Sequence, residues 1–108
     1  METQYKIINN YYTFRLVDEK LIDSKGNNVK SLIQYKDRLI KIDKSLSIIN
    51  MNHCLIHELT HAVIYETQLM PLEYYSEEHF CELMAMYGKY IINRANIIMR
   101  RLKNDKES

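Results

Sequence analysis

Pro71 is the only proline in the 108-residue chain, and it cuts the C-terminal half into two stretches that each read as one long helix. A proline locks φ and has no N–H, so a helix running into it must stop. Upstream, Ser47 suits an N-cap and residues 48–68 suit a helix. At about 100° per residue, Met51, Leu55, Leu59, Ala62 and Val63 fall on one side, while His57 and His61 fall on the other. A second helix, from residue 72 or 74 to 102, puts Phe80, Leu83, Met84, Tyr87 and Ile91 on one side, with Glu78, Glu82 and Ala85 opposite. Each helix then has an apolar back and a front that carries His or Glu. The charged tail, 103–108, is expected to fray.

Residues 1–46 have a different grain. Residues 11–17 are rich in aromatic and β-branched side chains and follow a turn at Asn9-Asn10. The strongest turn signal is 23–28, which holds one of the two glycines. Two short apolar runs follow, 29–35 and 38–43, joined by Lys36-Asp37 as in a hairpin. The expected fold is α+β, a small antiparallel sheet of three or four strands followed by two long helices. At this length the chain forms one domain, 1–108, divided into 1–46, 47–70, 72–102 and the tail.

With 46% hydrophobic and 27% charged residues, the composition argues against disorder, and a net charge of +1 offers no case for a nucleic-acid or membrane partner. Nothing approaches the roughly 20 apolar residues of a membrane span. The start lacks a secretory pattern, and Cys54 and Cys81 make no disulfide framework, so a reduced, cytoplasmic protein with two buried thiols is expected.

The sharpest pattern is His57-Glu58-Leu59-Thr60-His61, or His-Glu-x-x-His. Residues four apart on a helix stack on one face, Cβ atoms about 5–6 Å apart, so two imidazoles can converge on one zinc ion at about 2.0–2.1 Å. Glu58 is turned about 100° around the axis, which suits a general base acting on water beside the metal. A satisfied core histidine is the bland reading of either His alone; the apolar opposite face and the helical setting favour the metal. His53 is a poor third ligand, because three histidines at four-residue spacing span about 12 Å. The front of the second helix is a better source. Glu78 and Glu82 lie four apart there, so one can ligate while the other orients a histidine. Glu77 and His79 are further candidates.

Two segments resemble the ImmA/IrrE-type metallopeptidases, specifically the short versions common in phages and prophages, a group with a thermolysin-like glutamate as third ligand. His57-Glu-Leu-Thr-His-Ala62 is similar to the family's His-Glu-Leu-x-His-Ala element. Glu78-His-Phe-Cys-Glu-Leu-Met-Ala85 is similar to its Glu-x-x-Ala-(Asn/Asp)-x-Phe-Ala element, with Cys81, Glu82 and Met84 as departures. The resemblance covers roughly residues 5–92. It implies a minimal zincin-like core, Zn2+ held by His57, His61 and Glu78, Glu58 as catalytic base, and Glu82 at the position that supports the ligands or replaces Glu78. It also implies a protein substrate such as a helix-turn-helix repressor.

The expected reaction is peptide-bond hydrolysis, with Tyr65, His79, Tyr74 and Tyr75 as candidate donors to the transition-state oxyanion. The upstream strands offer an edge for an extended substrate. The first rival is a zinc-stabilised module that sequesters a regulator without cutting it. The second is a nucleic-acid-binding helix carrying Arg94, Arg100, Arg101, Lys103 and Lys106. Dipole complementation at a helix C-terminus and the lack of interleaved aromatics make that weaker.

Overall fold

Apolar and polar side chains alternate through the first 17 residues, and this period of two folds into a hairpin. The computed structural model describes residues 2–68 and 76–107, with side chains as far as Asn104. Strand β1 (Glu2–Ile7) pairs antiparallel with β2 (Asn10–Val17). Tyr5 and Ile7 on one strand, and Tyr12, Phe14 and Leu16 on the other, face the core. The sharp turn between them leaves Ile8 at φ 59°, where its N–H donates to Tyr90 Oη at 2.7 Å.

The turn at 23–28 forms as its composition predicts. Gly26 sits at φ 84°, and Asp23 Oδ1 accepts from the Lys25 and Asn27 amides at 2.9 and 2.8 Å. These amides hold the Asp23 carboxyl below its usual range, the Asn27 bond acting most strongly. The turn joins two short strands, β3 (Leu21–Ile22) and β4 (Asn28–Val29), which form a separate antiparallel pair.

Strands β5 (Ser31–Gln34) and β6 (Leu39–Asp43) make the expected hairpin. Its turn contains no glycine, and Arg38 takes the left-handed conformation instead, at φ 48°. That costs strain, which Arg38 offsets by an ion pair to Glu66 at 2.7 Å.

The main sheet runs β1-β2-β6-β5. The expectation of an all-antiparallel sheet needs correction, because β2 and β6 pair in parallel, Thr13 opposite Leu39 through Val17 opposite Asp43. Residues 18–38 carry the chain back to the starting end of β2, so β6 enters in the same direction. The result is still α+β, with one mixed four-stranded sheet ahead of two helices.

Helix α1 (Ile48–Thr67) is capped by Ser47, whose side chain accepts from the Asn50 amide, and ends where Gln68 turns left-handed at φ 57°. Its back is the predicted one: Met51, Leu55, Leu59, Ala62 and Val63 are all buried. Helix α2 (Glu77–Glu107) packs on α1 and β1 and continues through most of the tail expected to fray. Residues 72–75, where α2 was expected to begin, lie outside the described residues.

The buried stripe of α2 is Leu83, Ile91, Ala95, Ile98, Met99 and Leu102. Phe80 and Met84 were expected on that stripe but are 53% and 43% exposed. Among the described residues, no helix is long and apolar enough to cross a membrane. Cys54 is partly buried, and Cys81, against expectation, is exposed.

Candidate metal centre

Four-residue spacing on α1 puts the His57 and His61 rings in contact, centroids 4.9 Å apart and planes at 73°. Their Nε2 atoms stand 3.2 Å apart. Two nitrogens bound to one tetrahedral zinc at about 2.0–2.1 Å are separated by about 3.3 Å. The pair is thus already spaced for a shared ion. Burial lowers the His61 pKa most, and His57 lowers it further, against the opposing influence of Glu58. His61 is therefore biased toward the neutral imidazole that a metal requires.

Glu58 completes the cluster. His57, Glu58 and His61 each offer a ligand atom, and these atoms lie within 4.8 Å of one another, a group that can hold a metal ion. Glu58 is only 5% exposed, and its carboxylate accepts a hydrogen bond from Ser31 Oγ at 2.6 Å. A buried carboxylate is costly unless something holds it. Here β5 supplies the donor, fixing the carboxylate beside the imidazoles. Ser31 escaped the sequence reading. The signal was its period: Ser31 and Ile33 point to the same face of β5, so Ser31 is a polar residue aimed at the helix.

His57 lies between two clefts. One, of about 470 Å³, is lined by His57, Thr60, His61 and Ile64 of α1 and by Ser76, Phe80 and Leu83 across from them. The other, of about 310 Å³, lies toward the strands and includes Ser31, His53, Cys54 and Glu58. Strand β5 is an outer strand of its sheet among the described residues, and its first residue, Ser31, lines the second cleft.

The remaining predicted residues are placed less simply. Glu77, Glu78 and Glu82 are exposed, and among the described residues none belongs to the metal-capable group. Leu83 is 1% exposed and faces inward; at 100° per residue Glu78 lies about 140° from it around the helix, and about 160° from Phe80. The surface of α2 that meets the histidines is therefore its apolar edge, not the acidic front expected from sequence, because burying Leu83 and Ile91 fixes the helix rotation.

His79 is tied to the start of α2, its Nδ1 2.9 Å from Ser76 Oγ, which also accepts from the His79 amide at 3.1 Å. Tyr65 lies one turn beyond His61 and stacks on Tyr35, centroids 4.8 Å apart. Tyr74 and Tyr75 lie outside the described residues. No family model matches the chain, and neither a curated protein nor a solved structure does.

Proposed function

We propose that this protein is a zinc-dependent metallopeptidase that hydrolyses a peptide bond in a cytoplasmic protein. The observation that carries the proposal is the approach of the His57 and His61 Nε2 atoms to 3.2 Å with the buried, Ser31-held carboxylate of Glu58 beside them. His57 and His61 would hold the ion, and Glu78 is the third ligand that the family resemblance assigns. Bound zinc supplies Lewis acidity toward a carbonyl and lowers the pKa of water. The chain's own residues do the rest. Glu58 takes a proton from the attacking water and returns it to the leaving amine. Ser31 keeps the carboxylate oriented through both transfers. The free edge of β5 offers main-chain groups to an extended substrate. By the same resemblance, a helix-turn-helix repressor is the first substrate to test.

Purified protein is expected to hold about one zinc per chain, and His57→Ala or His61→Ala to hold none. Elemental analysis after gel filtration reads this directly. Both side chains are at least partly exposed, so neither substitution removes core packing. Full zinc occupancy in either variant would refute the site.

One observation favours a different reading. Glu78 is exposed and outside the clustered ligand atoms, so two imidazoles and Glu58 make up the preformed group. A module that binds metal weakly and captures a regulator without cutting it needs no more. Zinc affinity separates the cases. On the peptidase reading Glu78→Gln weakens binding more than Glu82→Gln, whose effect through the ligands it supports would be roughly 10–100-fold; on the capturing-module reading neither substitution changes it. Unchanged affinity in Glu78→Gln would remove it from the ligand set.

A further inference from the structure

Arg94 and Arg101 of α2 have no aromatic neighbours in sequence beyond Tyr90, yet the fold surrounds them with rings. The Arg94 guanidinium lies 4.2 Å from the ring centroid of Tyr90 and 5.5 Å from that of Tyr5. Arg101 lies 4.9 Å from the Tyr5 centroid and donates to Gln4 O at 3.0 Å and Thr3 Oγ1 at 3.4 Å. These residues border an open cleft of about 400 Å³ that wraps the outer edge of β1. On its far side Lys6 and Tyr11 stand opposite each other in the β1–β2 ladder, and Tyr11 is 66% exposed.

Three features go together here. Among the described residues the cleft is lined by three cations, Lys6, Arg94 and Arg101, and by no acidic residue. Arg94 lines the cleft, and because its Nε is sealed from solvent without a hydrogen-bond partner among the described residues, only its terminal nitrogens are available to a ligand. Stacking on a ring occupies the face of a guanidinium and leaves its in-plane N–H groups for an oxyanion. The third feature is the exposed Tyr11 ring beside Lys6, since an unsheltered aromatic next to a cation is how nucleic-acid-binding surfaces seat a base and its phosphate.

We propose that this cleft binds a nucleotide, with its phosphate on Arg94, Arg101 and Lys6 and its base stacked on Tyr11, either free or within a single strand. An acidic peptide would satisfy the cations and leave Tyr11 unused, so the ring decides for the nucleotide. Among the described residues the cleft shares none with those around His57. Tyr90 is seven residues beyond Leu83, roughly 10 Å further along the helix. The proposal is therefore independent of the metal reading.

Fluorescence anisotropy with a labelled ten-nucleotide oligo(dT), with thymidine monophosphate as competitor, tests it on the full chain. Binding is expected to weaken with salt, log K falling by about 0.7 per phosphate engaged for each tenfold rise. Tyr11→Ala and Lys6→Glu alter exposed side chains and leave the fold intact. Tyr11→Ala is expected to reduce affinity at least about fivefold, the lower end of what one stacked base contributes. Oligo(dT) binding far tighter than the monophosphate identifies a strand as the ligand, and equal affinity identifies a free nucleotide. Absence of binding, indifference to both substitutions, or displacement by poly-glutamate as effective as by the monophosphate would overturn the proposal.

Discussion

On the proposed peptidase reading, Glu58→Gln is expected to abolish peptide cleavage while leaving fold and zinc content unchanged. Glutamine keeps nearly the same volume, and its carbonyl can still accept from Ser31 Oγ, so the buried position stays filled and hydrogen-bonded. What disappears is the basic oxygen. Loss of a general base costs about 10²–10⁴ in rate, enough to remove fragments from a gel assay. The side chain sits one residue beyond a proposed ligand, so measuring zinc content alongside cleavage separates a chemical defect from metal loss. If wild type and Glu58→Gln inactivate a candidate repressor equally, and neither yields fragments, the capturing module replaces the peptidase.

A second large effect is expected at a residue that carries no chemistry. The Glu66 side chain is 5% exposed. It accepts from Asn10 Nδ2 at 2.9 Å, Tyr12 Oη at 3.0 Å and Arg38 Nε at 2.7 Å. It thereby ties the end of α1 to β2 and to the β5–β6 turn. Glu66→Ala would strand a buried tyrosine hydroxyl and remove the partner that offsets the backbone strain at Arg38. Breaking a buried pair costs about 3–5 kcal/mol, and partial exposure of Arg38 reduces this to about 2–3 kcal/mol. Thermal unfolding should therefore fall by roughly 10–20 °C. A drop of a degree or two would show that the network contributes nothing net.

The same residue predicts an acid response. Burial pushes the Glu66 carboxyl upward, but the bonds from Arg38, Asn10 and Tyr12 outweigh it and leave the pKa below the usual value. Because the folded pKa is the lower one, the stabilisation is complete above the unfolded value, about 4.3. It drains away as pH falls through the folded value. Denaturant titrations of wild type and Glu66→Gln should converge below that range and separate above it. A constant gap down to strong acid would show that Glu66 ionisation does not carry the effect.

The centre on α1 was legible because its geometry is local. His57, Glu58 and His61 share one helix, and four-residue spacing alone brings the rings together. The apolar back of α1 was legible for the same reason. What the sequence hid depends on how elements meet. Ser31 reaches Glu58 only after β5 is laid beside α1, and Glu66 acquires partners from residues 10, 12 and 38 only in the folded sheet. The rotation of α2 was misjudged for the Glu78 face, since periodicity gives the relative angle of Glu78 and Leu83 but not which stripe is buried. Leu83, Ile91, Ala95 and Ile98 decide that collectively. The parallel β2–β6 pair was hidden too, because strand signals carry no direction.

Because β2 and β6 run side by side in the same direction, the sheet is two hairpins sewn together along one seam. Each hairpin closes over a short loop, an event of about 1–10 μs. The seam must wait for residues 18–30 to swing one hairpin alongside the other. That tether sets only the entropy of their meeting, and doubling its length adds about 0.6 kcal/mol. The Gly26 turn lies within it, and Asn28, two residues on, lines the cleft that contains Glu58. Extra residues added at that turn would grow at the mouth of the cleft without disturbing the hairpins or α1. If the cleft takes a polypeptide as proposed, lengthening this loop would change which chains it admits while leaving the paired strands in place.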